Sequence, residues 1–152
     1  MLFRSSELTY VRHASGSLTC WGANNLAQLG TGKDTSGPEP VPVKWPEATP
    51  PPGNPVLSLG AEHTCAFWPA GTPWCWGGNY YGQAGVGSDK NPIATPTALA
   101  LPAATTALSQ GTMFGCAAGD GGAAYCWGAN DYGQMGDKGS WSLLPVTVQE
   151  LD

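Results

Sequence analysis

The stretch CWGANNLAQLGTG, from Cys20 to Gly32, recurs in the same chain as CWGGNYYGQAGVG (Cys75–Gly87) and CWGANDYGQMGDKG (Cys126–Gly139). The Cys-Trp-Gly anchors are separated by 55 and then 51 residues, a period typical of propeller blades and solenoid units. Each period is therefore interpreted as one supersecondary unit. The predicted division is repeat 1 (1–46), a Pro-rich connector (47–55), repeat 2 (56–102) and repeat 3 (103–152).

The residues shared by all three copies are interpreted as structural rather than chemical. Tryptophan can bury 150–250 Å² in a core, glycine permits a positive φ or a close backbone approach, and Asn and Gln can satisfy backbone groups in turns. The positions are Trp21, Trp76, Trp127, Gly22, Gly77, Gly128, Asn24, Asn79, Asn130, Gln28, Gln83, Gln134, Gly30, Gly85 and Gly136.

The rest of each repeat reads as short strands separated by turn residues, as in VLSLG (56–60), HTCAFW (63–68), PWCWGG (73–78) and TPTALAL (95–101). About four short strands per period predict an all-β fold made of propeller blades, each a four-stranded antiparallel sheet. Three such repeats would form a partial, open propeller or part of a larger ring. Uncovered blade faces and strand edges would then favour association with further blades or with another copy.

Composition narrows the classes of partner. The 152 residues carry a formal net charge of −5, and only six are Lys or Arg, without a basic cluster. Nucleic acid is therefore not expected as a partner, and no apolar run approaches the ~20 residues of a membrane span. Met1–Ser6 lacks the features of a secretory signal, so an exported form is expected to have lost its leader or to have it outside this sequence.

The cysteines suggest two disulfides. Cys65 and Cys75 are ten residues apart, as are Cys116 and Cys126, and each pair would lie across one hairpin at a separation that a disulfide tolerates. Buried free thiols are the main alternative, and a zinc site is disfavoured because the spacing lacks a CxxC or HxxxH partner. Cys20 faces Tyr10 instead of a cysteine, so it is either a free thiol or the partner of a cysteine outside this chain.

Nothing in the sequence predicts catalysis, a cofactor or a metal. His63 lies two residues from Cys65, but residues so spaced on a strand share a face without necessarily meeting. The acidic residues lie singly on predicted turns, and GDGG (119–122) is followed by neither a helix nor a Lys-Ser/Thr pair. The chain is therefore predicted not to be an enzyme.

The positions that vary within the repeated turn form a candidate binding rim. They precede the G-Q-x-G segment and should lie on one edge of the propeller, where exposed aromatic and polar side chains are suited to partner binding; tolerant loop residues are the alternative. The positions are Asn25, Leu26, Tyr80, Tyr81, Asp131 and Tyr132.

The combination W-G-x-N-x-x-G-Q-x-G, preceded by the Gly60–Ala66 strand, resembles the repeat of the regulator of chromosome condensation (RCC1-like) family. That resemblance implies a β-propeller, usually with seven blades. The first repeat departs from the pattern. Ala27 replaces a glycine, Ser5 occupies the position of Gly60 in the second repeat, and Leu8 and Tyr10 occupy the positions of His63 and Cys65.

The family includes a nuclear guanine-nucleotide exchange factor, ubiquitin-ligase modules and secreted bacterial propellers, one of which inhibits β-lactamases. Paired cysteines favour an oxidising compartment, and with the acidic balance they point to the secreted bacterial branch. The leading hypothesis is a non-catalytic protein-binding scaffold, extracellular or at the cell surface. The alternatives are an exchange-factor-like regulator of a small GTPase and an inhibitor of a secreted hydrolase such as a β-lactamase.

Overall fold

The computed structural model describes residues 1–46, 52–69 and 71–148. Most of the predicted connector, residues 47–51, lies outside these ranges, as does the end of repeat 3. The described residues form three four-stranded antiparallel sheets, so the predicted all-β fold of propeller blades is confirmed.

Each sheet uses its four strands in chain order, and the three sheets are called blades 1, 2 and 3. Blade 1 contains β1 (Leu2–Arg4), β2 (Leu8–Arg12), β3 (Leu18–Gly22) and β4 (Gly37–Pro42). Blade 2 contains β5 (Val56–Leu59), β6 (His63–Phe67), β7 (Trp74–Gly77) and β8 (Ile93–Ala98). Blade 3 contains β9 (Thr105–Gln110), β10 (Phe114–Gly119), β11 (Ala124–Ala129) and β12 (Trp141–Thr147), with a 3₁₀ turn at Asp120–Gly122.

The third strand of every blade carries the Cys-Trp-Gly anchor, and its register against the fourth strand shifts within that anchor. The shift falls between Cys20 and Gly22 in blade 1, and at the corresponding residues of the other two blades. An irregularity of this kind bends the strand and changes the direction of its side chains. It occurs at the tryptophan, which in blades 2 and 3 packs on the preceding blade.

The fourth strand is the outer edge of each blade and contains proline in all three. Blade 1 has Pro38, Pro40 and Pro42, blade 2 has Pro96 and blade 3 has Pro145. Proline lacks the backbone N–H that an added strand would need, so it hinders pairing at an exposed edge. Within the described residues, therefore, blade faces offer a better surface for association than the outer edges do.

The core lies within and between the blades. Buried apolar residues of blade 1, such as Leu18 and Leu29, join a continuous cluster with Trp76 of blade 2 and Trp127 of blade 3. Trp45, which follows β4, packs edge-on against Trp68, Trp74 and Trp76, with ring centroids 5.5–6.0 Å apart. Blades 1 and 2 are thus joined by a tryptophan cluster that the repeat pattern does not predict.

Candidate functional site: the blade interfaces and the rim

The anchor tryptophan of one blade is inserted into the repeated turn of the blade before it. The Nε1 of Trp76 donates a hydrogen bond of 3.0 Å to the Gln28 carbonyl, and the Nε1 of Trp127 donates one of 3.0 Å to the Gln83 carbonyl. Both indoles are fully buried. The tryptophans of blades 2 and 3 therefore connect neighbouring blades rather than fill the interior of their own blade.

Gly30 and Gly85 shape the space that receives these indoles. Both have positive φ, and a Cβ at either position would lie 2.6 Å from an atom of the incoming ring, of Trp76 or Trp127 respectively. Any larger residue would therefore displace the indole, in addition to straining the backbone. We call the Gln carbonyl and this glycine together the seat for the next blade's tryptophan.

The shared asparagines hold the seat in shape. Asn79 Oδ1 accepts from the Ala84 N–H at 3.0 Å, while its Nδ2 donates to the carbonyls of Ser88 and Lys90. Asn24 makes the corresponding bonds in blade 1. In blade 3 Asn130 Oδ1 accepts from the Met135 N–H, and its Nδ2 donates to the Gly139 carbonyl and to Asp137. Because the amide groups are consumed by the backbone, they cannot also serve as ligands or catalytic groups.

The shared glutamines complete the same turn. The Oε1 atoms of Gln28, Gln83 and Gln134 each accept a hydrogen bond from the backbone N–H two residues earlier, at 2.8–2.9 Å. The side chain thus fixes the turn on its own blade, while the main-chain carbonyls of Gln28 and Gln83 receive the tryptophans. One residue serves two purposes, which explains why both its identity and its position recur.

Among the described residues, the tryptophan of blade 1 has no seat to enter, and the seat of blade 3 receives no tryptophan. Trp21 is half-buried, so the prediction that all three tryptophans are core residues is wrong for this one. The reason is that no blade of the described residues lies against its face. At the other end Gln134 is half-buried and Gly136 exposed, whereas Gln28, Gln83, Gly30 and Gly85 are all buried.

Tyr10 bonds blade 1 to blade 2. In the sequence it is noticeable only because it occupies a position at which the other two repeats have cysteine. Its hydroxyl donates to the Gln28 carbonyl at 2.6 Å and accepts from Trp76 Nε1 at 3.0 Å. Burial raises the pKa of Tyr10 well above its usual value, and the adjacent Cys20 adds to the effect. The hydroxyl therefore stays protonated and works as a donor.

The cysteines pair as the spacing predicts. Cys65 faces Cys75 and Cys116 faces Cys126 in the strand register, and both pairs are joined as disulfides. Cys20 is free and fully buried among the described residues, and burial raises the pKa of its thiol to about 12. A buried, protonated thiol is a poor nucleophile, and its burial opposes the alternative of a bridge to a second chain.

His63 lies at the interface of blades 2 and 3. Its Nε2 is 2.7 Å from Gln110 Oε1, and the ring is fully buried. A Cβ at Gly60 would collide with the imidazole, which explains the glycine found there. Burial lowers the pKa of His63 to about 4. The imidazole is thus neutral near pH 7 and serves as an uncharged contact between blades.

The predicted rim is divided by the structure into two classes of position. The first variable position of each turn is exposed: Asn25, Tyr80 and Asp131. At the second position Leu26 and Tyr81 are half-buried, so these two offer a partner less surface than the first positions do. A Cβ at Gly78 of blade 2 would lie 3.3 Å from Leu26 Cδ1, which shows that this position packs towards the next blade.

Two tyrosines of the rim are strongly exposed. Tyr132, which occupies the second variable position in blade 3, is 95% exposed, and Tyr80, at the first position in blade 2, is 75% exposed. Tyr80 also packs edge-on against Tyr81, with ring centroids 4.9 Å apart, which restricts the orientation of both rings. Trp141 is half exposed at the start of β12, and its strand partner Ala129 lies just ahead of the same turn. The rim of blades 2 and 3 therefore displays exposed aromatic rings on a rigid support.

One pocket, of about 730 Å³, is an open groove along β4 whose titratable lining consists of Lys33, Glu39 and Lys44. Among the described residues, no three His, Cys, Asp or Glu side chains are grouped to hold a metal ion. In the same part of the chain, no helix has the length and apolarity to cross a membrane.

Known proteins resemble this chain in sequence. It is 31% identical over 136 residues to the mitochondrial RCC1 domain-containing protein RUG3 of Arabidopsis thaliana, covering 88% of this chain and 30% of the relative. It is 29% identical over 134 residues to the human X-linked retinitis pigmentosa GTPase regulator, covering 87% of this chain and 13% of the relative. The chain thus spans less than a third of either protein. No family model matches it.

Solved structures share the fold. A chain in the crystal structure of Kap60 bound to yeast RCC1 (Prp20) superposes with a TM-score of 0.84 at 16% identity, covering 99% of this chain and 37% of that one. Prp20p from Saccharomyces cerevisiae, in a study of its binding to Gsp1p and histones, gives 0.80 at 18% identity, covering 99% and 38%. The sequence relatives support a resemblance to the RCC1-like repeat family, and the structural neighbours show the shared fold of propeller blades.

Proposed function

We propose that this chain of RCC1-like repeats is a non-catalytic scaffold that binds a protein partner through the rim of its blades. The observation that carries the proposal is the separation of roles within one turn. The repeated Asn and Gln side chains are hydrogen-bonded to the backbone, whereas the first variable position is exposed in every blade. The fixed residues build the support, and the variable ones are available for contact.

The aromatic rings of the rim favour a protein as the partner. Tyr80, Tyr132 and Trp141 are exposed on blades whose strands are held by disulfides and interblade bonds. Tyrosine and tryptophan supply contact area at a low cost in side-chain entropy, and they are enriched among the residues that dominate binding. The scarcity of Lys and Arg disfavours a nucleic acid on this surface.

We place the scaffold outside the reducing cytosol, in an extracellular or cell-surface setting. Two disulfides in a chain of this size support this location, because such bonds persist in oxidising compartments. Mass spectrometry of protein purified from its native source without reductant tests it. We expect a mass deficit of two bridges; four free thiols at these positions would remove the location but leave the scaffold proposal standing.

A second candidate is regulation of a small GTPase in the manner of an exchange factor. One similar protein is named a GTPase regulator, and one structural neighbour was studied for binding to Gsp1p. Fluorescent GDP release from small GTPases of the same organism tests this function directly. Acceleration by the chain would favour the regulator, and binding without acceleration would favour the scaffold. An inhibitor of a secreted hydrolase would instead cause stoichiometric loss of activity in a β-lactamase titration.

The rim is tested by cross-linking and affinity capture from native extract with the wild-type chain and two variants. Tyr80→Ala with Tyr132→Ala removes the exposed rings, and Leu144→Ala is the control, because Leu144 is an exposed apolar residue of β12 whose side chain lies next to Gly87 and is not one of the variable rim positions. We expect a partner captured by the wild type and the control to be lost with the double variant. A partner held equally by all three proteins would contradict the rim as the binding surface.

A further inference from the structure

We propose that the groove along β4 binds an extended segment of a protein partner in which an aliphatic side chain stands next to an acidic one. The groove does not include the exposed tyrosines of the rim, so this proposal does not depend on the partner-binding role of the rim.

The groove belongs to blade 1 and opens on the side that faces blade 2. All of its lining residues lie within 29–44. Val41 on its floor faces Cys20 in the strand register, and Cys20 faces Tyr10. Tyr10 in turn bonds to the Trp76 indole of blade 2. Because cross-strand partners share one face of a sheet, the groove lies beside the contact between two described blades.

The groove is open because blade 1 lacks a side chain that blade 2 has. Gly37 faces the glycine of the Cys-Trp-Gly anchor of blade 1, and Ile93 faces the corresponding glycine of blade 2. Ile93 is buried in the core cluster, whereas an added Cβ at Gly37 would meet nothing within 4 Å among the described residues. An aliphatic side chain from a partner can therefore take the place that Ile93 takes in blade 2.

The floor and the length of the groove suit an extended peptide. Leu29 and Val43 are buried, and Val41 packs partly buried against them as part of the same core. The groove measures about 730 Å³, within the range of known ligand sites, and the six residues of β4 span about 20 Å. Because the prolines of β4 hinder pairing with an added strand, recognition would rest on side chains.

The charges around the groove favour an acidic residue in the bound segment. Lys33, Lys44 and Glu39 border it and are all exposed. An added Cβ at Gly32 would lie 3.2 Å from Lys44 Cδ and 3.7 Å from its Nζ, which places that ammonium group beside the turn that carries Lys33. Two lysines and one glutamate give the groove a net charge of +1, in a chain with a net charge of −5. Complementary charge therefore favours a carboxylate.

NMR titration of the isotope-labelled chain with blocked tetrapeptides tests the proposal. The probe is acetyl-Gly-Ile-Asp-Gly-amide, and we expect saturable shifts of the backbone amides within 29–44, with a Kd on the order of 1 mM. Replacing its isoleucine by alanine should weaken binding by about 10-fold, because less apolar surface is buried. Replacing its aspartate by lysine should also weaken binding, through repulsion by Lys33 and Lys44.

Three results of this titration would overturn the proposal. They are the absence of saturable shifts up to roughly ten times the expected Kd, shifts centred outside the groove, and equal binding of the three peptides.

Filling the groove with the protein's own side chain tests its location. Gly37→Ile supplies in blade 1 the side chain that blade 2 has at Ile93. Ala98→Ile is the matched control, because it adds the same side chain at an exposed position of β8, the fourth strand of blade 2. We expect Gly37→Ile to lose binding of the probe and Ala98→Ile to retain it. Binding by Gly37→Ile at the wild-type affinity would overturn the proposal.

Two substitutions of exposed charges test the acidic half without altering the core. Lys44→Met removes a positive charge but keeps an apolar stem over Gly32, and Glu39→Gln removes the carboxylate that opposes the ligand. We expect Lys44→Met to weaken binding of the probe by about 2- to 5-fold and Glu39→Gln to strengthen it by a similar factor, as for exposed charge pairs. Equal affinities of the wild type and both variants would overturn the proposal.

Discussion

Blades 1 and 2 use the same pair of facing positions in different ways. In blade 2 the positions hold Cys65 and Cys75, joined as a disulfide, and in blade 1 they hold Tyr10 and Cys20. The disulfide fixes two strands within one blade, whereas the Tyr10 hydroxyl bonds to the Gln28 carbonyl and to the Trp76 indole of the next blade. Blade 1 thus has an interblade contact in place of a covalent link.

This difference shows that stability within a blade and attachment between blades are separable. Blade 1 keeps the strand register of blade 2 without a disulfide, since Tyr10 and Cys20 face each other as the cysteines do. The attachment between blades rests on the tryptophan, the Gln carbonyl and the glycine of the seat, which recur at both internal interfaces. Variants that affect one class of contact should therefore leave the other class largely intact.

The largest effect is expected from the interblade tryptophan. Trp76→Ala removes a fully buried indole and its bond to Gln28, and should lower the free energy of unfolding by about 3–5 kcal/mol. Trp21→Ala, at the same position of blade 1 but half-buried, should cost about 1 kcal/mol. Urea denaturation of dilute protein measures both. Equal losses would contradict the distinction between a tryptophan held in a seat and one that is not.

Acidification should have the next largest effect, through His63. The unfolded chain binds a proton there near pH 6.5, but in the folded chain the pKa is lowered to about 4 by burial. The unfolded state therefore holds more protons between these values, and stability falls by about 3 kcal/mol as the pH drops from 7 to 4.

The matched control for His63 is His63→Leu, because Leu8 occupies the corresponding position of blade 1. Urea midpoints at pH 7 and pH 4 give the loss for each protein, and the carboxylates contribute equally to both. We expect the wild type to lose more stability than the variant over this window. Identical losses would show that the imidazole is not the responsible group.

Removing a disulfide should lower the free energy of unfolding slightly less than acidification does. Cys65→Ala with Cys75→Ala opens a link between residues separated by ten positions, and the chain-entropy estimate for such a loop is about 2–3 kcal/mol. Dithiothreitol should lower the unfolding midpoint of the wild type but have a smaller effect on this double variant, which retains only Cys116–Cys126. A midpoint unchanged by the reductant in the wild type would contradict a stabilising role.

The smallest effect is expected for Tyr10→Phe. The ring remains in the core, but the hydroxyl bond to the Gln28 carbonyl is lost, and this carbonyl still accepts from Thr64 and Trp76. Loss of one hydrogen bond should cost about 1 kcal/mol, which urea denaturation can resolve. A loss as large as that of Trp76→Ala would mean that Tyr10, and not the tryptophan, dominates the interface of blades 1 and 2.

The repeat made the blades predictable because its residues satisfy local backbone requirements. Asn79 and Gln83 bond within their own turn, so their spacing in the sequence reflects a geometry that does not depend on the other blades. The facing cysteines were predictable for the same reason, since a hairpin places residues ten apart opposite each other when the turn is short.

Contacts between blades were harder to predict from the sequence. Tyr10 is recognisable in sequence only as a departure from the cysteine pattern, although it bonds to residues 18 and 66 positions away. Trp45 follows an outer strand and packs on three tryptophans of the next blade. The half-burial of Leu26 and Tyr81 also depends on neighbouring blades, because periodicity gives the face of a strand but not what covers that face.

The exchange of the indole N–H protons with solvent, followed by NMR in dilute protein, tests the central claim that the repeated motif attaches one blade to the next. The Nε1 protons of Trp76 and Trp127 are buried and bonded to the carbonyls of Gln28 and Gln83, so they should exchange slowly, while that of Trp21 should exchange fast. Exchange at one common fast rate for all three would contradict the claim.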